Sequence, residues 1–149
     1  MTIIAGQQNN IDFQITMEPH FNRLLFDKRE LKAAIRKSGA VVRKEARRLI
    51  SSRAISAAGE FPGYDSGAMS RAIKIKVGSG GGYVRVMPYR TAEMGEGKND
   101  FYPAYLFYGT RRGLQPRKDF MKAALDNKQA EIRAAISASL ANSLRAQFS

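Results

Sequence analysis

The hydrophobic positions of this chain change period several times, and each change marks an element. Residues 11–17, IDFQITM, alternate strictly, with Ile11, Phe13, Ile15 and Met17 on one face. A period of two predicts a half-buried strand, which Pro19 ends. From Asp27 to about Ser52 the period lengthens. Leu31, Ile35, Val42, Ala46 and Leu49 form one apolar stripe and predict a long helix. Asp27 is placed to cap it, with Glu30 three residues on as the capping-box partner. Residues 56–70, SAAGEFPGYDSGAMS, read as a loop, with Ser66-Gly67 opening a short turn into Met69 and Ala72.

Alternation returns at Ile73–Val77 (IKIKV) and again at Tyr83–Met87 (YVRVM), around the glycine-rich Gly78–Gly82. Two alternating runs around such a turn predict a β-hairpin with one apolar and one basic face on its first strand. Residues 89–100 are polar and glycine-containing and predict a mobile loop. Pro116 is placed to begin a second helix. From Asp119 onward Met121, Leu125, Ile132, Ile136, Leu140 and Leu144 form its stripe, widened by Phe120, Ala124, Ala135 and Phe148. The polar residues 1–10 read as a flexible N-terminal segment and 11–149 as a single domain. The expected class is α+β: an antiparallel sheet of about three to four strands packed against two long helices.

Charge adds the next constraint. The chain carries 25 Lys and Arg against 13 Asp and Glu, a net +12. Between residues 28 and 53 ten Lys or Arg stand against Glu30 and Glu45 alone, so the first helix holds much of the excess. A solvated helix face accounts for that pattern as readily as a surface that meets DNA or an acidic partner. There is no cysteine, which excludes disulfides, thiolate metal sites and Cys nucleophiles. No apolar run reaches the roughly 18 residues of a membrane span. MTIIAGQQNN lacks the positive n-region of a secretory signal, so the expectation is a soluble product of the cytoplasm, with no membrane partner.

Catalytic chemistry finds little footing. His20 is the only histidine, too few for a His-based metal site. Glu60, Asp65, Glu93, Glu96 and Asp100 lie in loops, without the spacing of a carboxylate pair or a metal cluster. The Gly78–Gly82 run has no Lys-Ser/Thr after it and does not sit between a strand and a helix, so it is not a phosphate loop. No catalytic, metal or cofactor site is expected, and no cofactor.

One segment resists a bland reading. FYPAYLFYGTRRGLQPRKDF, residues 101–120, places five aromatics in its first eight residues and then Gly109-Thr110-Arg111-Arg112-Gly113. In helical spacing Phe101, Tyr105 and Tyr108 share a side, with Tyr102 close by. Core filling explains part of this, and an exposed, positively charged turn would follow it. Tyr and Arg together are favoured at protein interfaces, and also suit nucleic acid through stacking and phosphate contact.

Four elements in order resemble the tail-completion, or head–tail joining (neck), family of long-tailed bacteriophages, which includes proteins similar to the lambda minor tail protein Z. They are a basic N-terminal helix; Pro62-Gly63-Tyr64-Asp65-Ser66-Gly67-Ala68-Met69 followed by Ala72-Ile73; Tyr102-Pro103-Ala104-Tyr105-Leu106-Phe107-Tyr108-Gly109-Thr110; and Arg117-Lys118-Asp119-Phe120-Met121-Lys122-Ala123-Ala124. The resemblance covers roughly residues 28–148. Tyr108 stands where the family often has an acid, and Asp119 where it has proline. What the resemblance implies is a structural virion protein, a tail-completion or head–tail connector subunit forming a sixfold ring around the DNA channel. It is expected in the virion neck, made in the host cytoplasm. Its partners would be itself, the neighbouring neck, head-connector and tail-tube proteins, and passing genomic DNA held by non-specific electrostatics. On this reading Tyr102, Tyr105, Tyr108, Gly109, Thr110, Arg111, Arg112 and Phe120 are candidate interface residues. Lys74, Lys76, Arg36, Arg43 and Arg47 are candidates for the channel wall. The rival expectation is a small non-specific DNA-binding protein, and a weaker third is a nuclease or toxin with acids assembled from loops.

Overall fold

The computed structural model describes residues 2–5, 11–14, 28–50, 56–64, 66–80, 82–94 and 102–145. Among them the chain is α+β, as expected, with helices against an antiparallel sheet. The strands are β1 (Thr2–Ala5), β2 (Ile11–Gln14), β3 (Ile73–Val77) and β4 (Tyr83–Pro88), in the order β1-β2-β4-β3. The helices are α1 (Lys28–Leu49), α2 (Ala68–Ala72), α3 (Tyr102–Tyr108) and α4 (Phe120–Arg145), with a 3-10 turn at Ala92–Met94.

The N-terminal segment departs from expectation. Thr2–Ala5 is not loose but an edge strand, paired antiparallel with Ile11–Gln14 from Thr2 opposite Gln14 to Ala5 opposite Ile11. Its Thr-Ile-Ile run has high strand propensity, which the polar average of residues 1–10 conceals. Ile15, Met17, His20 and the proposed cap Asp27 lie outside the described residues.

The register of the hairpin sets the two faces of the sheet. Ile73, Ile75 and Val77 stand opposite Pro88, Val86 and Val84, while Lys74 and Lys76 stand opposite Met87 and Arg85. The first group turns to the helices: Ile73, Val84 and Val86 are fully buried. Lys74 and Lys76 are exposed on the other face. Helix α1 lies across β3 and β4, and one residue allows its close approach. A Cβ on Gly39 would sit 2.8 Å from Val84 Cγ2 and 3.2 Å from Ile75 Cγ2. Glycine at that point lets the backbone of α1 rest almost directly on the sheet.

Helices α1 and α4 run antiparallel. At one end Asn127 Nδ2 donates to Glu45 Oε1 at 3.0 Å. At the other, Glu30, Ala33 and Ala34 face Ala135, Ala138 and Ser139 across a shallow groove. Between these ends Ile35, Val42 and Ala46 of α1 and Met121, Leu125, Ile132 and Ile136 of α4 close the core, nearly all of them without exposure. Each such aliphatic side chain contributes roughly 1.5–3 kcal/mol through its burial. Both stripes thus follow the sequence periodicity. The start of α4 does not. Pro116 stays in an extended link, where its carbonyl accepts from the Gly59 N–H at 3.2 Å. The cap is Asp119, whose Oδ1 accepts from the Met121 and Lys122 N–H groups, each at 2.9 Å.

Candidate interface and basic ridge

Two surfaces gather the residues that the sequence singles out. The first is built on α3. Pro103 and Leu106 point inward and are buried, and the Phe107 ring stacks on Phe120 with centroids 5.5 Å apart. The opposite side of this short helix is left outward: Tyr105 is 37% and Tyr108 63% exposed. Core filling therefore explains half of the aromatic segment only. Phe120, expected at an interface, is fully buried in the core and is removed from that set. The first residue of a helix that packs inward turns its ring under the domain, and neighbouring Arg and Lys residues obscured this in the sequence. The side chain of Tyr102, and all of Phe101, lie outside the described residues.

The turn after α3 is closed by its own backbone. Gly109 has φ +72° and donates its N–H to the Tyr105 carbonyl at 2.9 Å, which ends the helix. A Cβ there would meet the Leu114 carbonyl oxygen at 2.5 Å, so only glycine fits. Thr110 N–H donates to Leu114 O at 2.9 Å, Gly113 N–H to Thr110 O at 3.1 Å, and Leu114 N–H to Thr110 Oγ1 at 3.3 Å. These bonds hold Arg111 and Arg112 out at the apex, both exposed. Gly109 and Thr110 are half-buried; they shape the turn more than they present a surface.

Arg117 was read only as part of a helix entry, yet it anchors this region. Its Nε donates to the buried Ser56 Oγ at 3.0 Å, a guanidinium nitrogen donates to Gln115 O at 2.9 Å, and its N–H donates to Leu106 O at 2.7 Å. No local pattern reveals a partner 61 positions away.

The second surface runs along the free side of β3. Helix α1 passes above this edge with Lys32 at one end and Arg47 at the other. Lys32 Nζ reaches Ser79 O at the hairpin tip, at 3.5 Å. Arg47 donates to Ser70 O at 2.9 Å and Ile73 O at 3.3 Å, where α2 meets β3. Arg36 and Arg43 fall between them on the same helical stripe, four and eleven residues after Lys32. Lys74 and Lys76 emerge below the edge from the open face of the sheet, and Lys76 Nζ lies 4.3 Å from the centre of the Tyr89 ring. Four of the five candidate channel residues thus form two rows on opposite sides of the sheet near the β3 edge, Arg36 and Arg43 on the helix side, Lys74 and Lys76 on the other face. Arg47 has another job. Its guanidinium is committed to two backbone carbonyls, and burial, then the like charge of Arg43, pulls it below its ordinary pKa. It clamps α1 to the α2–β3 junction.

The acids of α1 lie on its other flank. Glu30 lines the groove toward α4. Glu45 is buried against α4, accepting from Arg48 at 2.7 and 2.8 Å and from Asn127. Those bonds, from Arg48 first and Asn127 second, outweigh the cost of burial and hold its carboxyl at about 2, against an ordinary 4.5.

Among the described residues the loop acids do not assemble. Glu93 pairs with Arg71 at 2.8 Å, and Glu60 accepts from the Ala57 N–H at 3.0 Å. Asp65, Glu96 and Asp100 lie outside the described residues. Among the described residues no three of His, Cys, Asp and Glu are grouped to hold a metal ion, and no helix is long and apolar enough to cross a membrane. Comparison of the chain with family models, with curated proteins and with solved structures found no match.

Proposed function

We propose that this chain is a non-enzymatic structural virion protein of a long-tailed phage, a tail-completion or head–tail connector subunit that forms a ring around the DNA channel. The observation that carries the reading is the α3 surface. Tyr105 and Tyr108 are turned outward beside Arg111 and Arg112, on a turn whose hydrogen bonds fix it before any partner arrives. The backbone of the turn is already closed and a tyrosine ring has only two side-chain torsions to fix, so ordering on docking falls mainly on the two arginine side chains, and Tyr and Arg are the residues that anchor strong protein contacts. The resemblance in the order of the four sequence elements supports the same conclusion. The architecture read from the hydrophobic pattern, a three- to four-stranded antiparallel sheet against two long helices in one domain, is compatible with such a subunit.

A ring needs a heterologous contact, one patch meeting a different patch on the next copy, closed by rotation. The α3 surface supplies one half of that contact, within the ring, taken as sixfold, or against the next neck, head-connector or tail-tube component. The test is complementation. A phage lacking the gene is supplied with the Tyr108→Ser/Arg111→Glu variant, whose fold is checked by circular dichroism. The expected result is a folded protein that fails to enter particles, with infectious titre falling at least tenfold. Full complementation by this variant overturns the assignment of the surface.

A further inference from the structure

We infer that the edge of β3 is a binding ridge for the phosphate backbone of double-stranded nucleic acid. The acids of α1 are confined to one flank: Glu30 and Glu45 lie toward α4, with Lys37 and Arg48 beside them, while Lys32, Arg36 and Arg43 share a stripe with Arg47, which reaches Ile73 O at the start of β3, and have no acid of α1 among them. The two elements meet at that edge through Lys32 to Ser79 and Arg47 to Ile73. Lys74 and Lys76 add a second row from below, exposed, with Lys76 directly opposite Arg85 in the register. On its other side Arg85 stands opposite Asp12 of β2, so the two lysines and not Arg85 carry the positive charge of this row.

The geometry favours a duplex over other polyanions. From Lys32 to Arg43 the helix rises about 16 Å at 1.5 Å per residue. Duplex DNA carries one phosphate charge per about 1.7 Å of its axis, so a ridge of one sign and that length faces an unbroken line of partners. Acidic protein surfaces rarely keep one sign over such a distance. Single strands need exposed aromatic platforms on which bases stack. Beside this edge Tyr89 is half-buried with Lys76 across it, and Tyr83 at the hairpin tip, 45% exposed, is a single ring rather than a series of platforms. Binding of this kind reads no sequence.

The inference deepens the neck reading, on which the duplex met is the passing genome, but it can fail alone because binding is a property of the isolated chain. The experiment titrates a fluorescently labelled 30-base-pair DNA duplex with the full-length protein between 50 and 200 mM salt, following anisotropy. With four to five phosphate contacts the slope of log K against log salt is expected near −4. Lys74→Glu/Lys76→Glu and Arg36→Glu/Arg43→Glu should each weaken binding at 50 mM salt more than tenfold and flatten the slope. Arg111→Ala/Arg112→Ala should leave both unchanged. Lys74 and Lys76 are exposed on the strand, so their variant keeps the test open should the α1 variant fold poorly. No duplex binding at 50 mM salt overturns the ridge. Binding that survives both ridge variants, or is lost with Arg111 and Arg112, overturns it too. A ridge that captures an acidic peptide such as poly-glutamate more tightly than duplex would replace nucleic acid by an acidic protein as its partner, and also counts against it.

Discussion

At the scale of single residues the molecule depends on a few positions whose roles are set by what they touch. Glu45 is the clearest. Its carboxylate is held at about 2 by Arg48 and Asn127, so its folded pKa lies below its unfolded one. The stability it contributes is therefore present above about pH 4.5 and is lost as pH falls from there toward about 2. Glu45→Gln keeps the shape but not the charge. It should cost about 1–3 kcal/mol at pH 7, and thermal unfolding from pH 2 to 7 should show a shallower acid limb in the variant. Gly39 is a second such position. Alanine favours a helix over glycine by about 1 kcal/mol, but here its methyl would press on Val84, which is fully buried. Overpacking costs roughly 1–3 kcal/mol, so Gly39→Ala should be net destabilising in urea unfolding, although a propensity scale alone says the reverse.

Among the elements, those with sustained periodicity were legible and those set by distant partners were not. The stripes of α1 and α4 and the β3–β4 hairpin follow directly from Ile35, Val42, Met121, Ile132, Ile73 and Val86, because burial on one face leaves its period in the chain. β1 was missed: three strand-forming residues inside a polar decapeptide are too short to show a period, and the pairing with β2 decides them. The entry to α4 was misplaced because Pro116 signals a helix start locally, while the link around it is held extended by Gly59 and by Lys118 N–H to Glu60 O at 2.8 Å. Asp119 does the capping instead, and Asp119→Ala should cost about 1 kcal/mol, readable as a lowered urea midpoint with an unchanged slope. The candidate surfaces were half legible. Exposed charge and aromatic density marked both of them. That Phe120 would be internal and Arg47 spent on carbonyls required the packing of α1 on β3 and of α3 on α4, contacts that join residues 13 to 26 positions apart.

On the proposed reading the whole molecule separates its surfaces by task. The β3 edge gathers cations of α1 and of the hairpin, and the α3 surface with its closed turn is joined to α4 through Phe107 and Phe120. A ring subunit needs this division, because contact with neighbours and contact with a passing polyanion have opposite demands: one should be tight and shaped, the other loose and sequence-blind. With a net charge of +12, isolated copies repel one another, so on the proposed reading a ring would close along a polyanion more readily than in dilute solution alone. The measurement that bears most directly on this account is electron microscopy of particles made by a phage that lacks the gene. The account predicts DNA-filled heads beside separate tails, or tails of abnormal length, with normal joining restored by the wild-type chain. Fully joined, infectious particles in its absence would contradict the neck role.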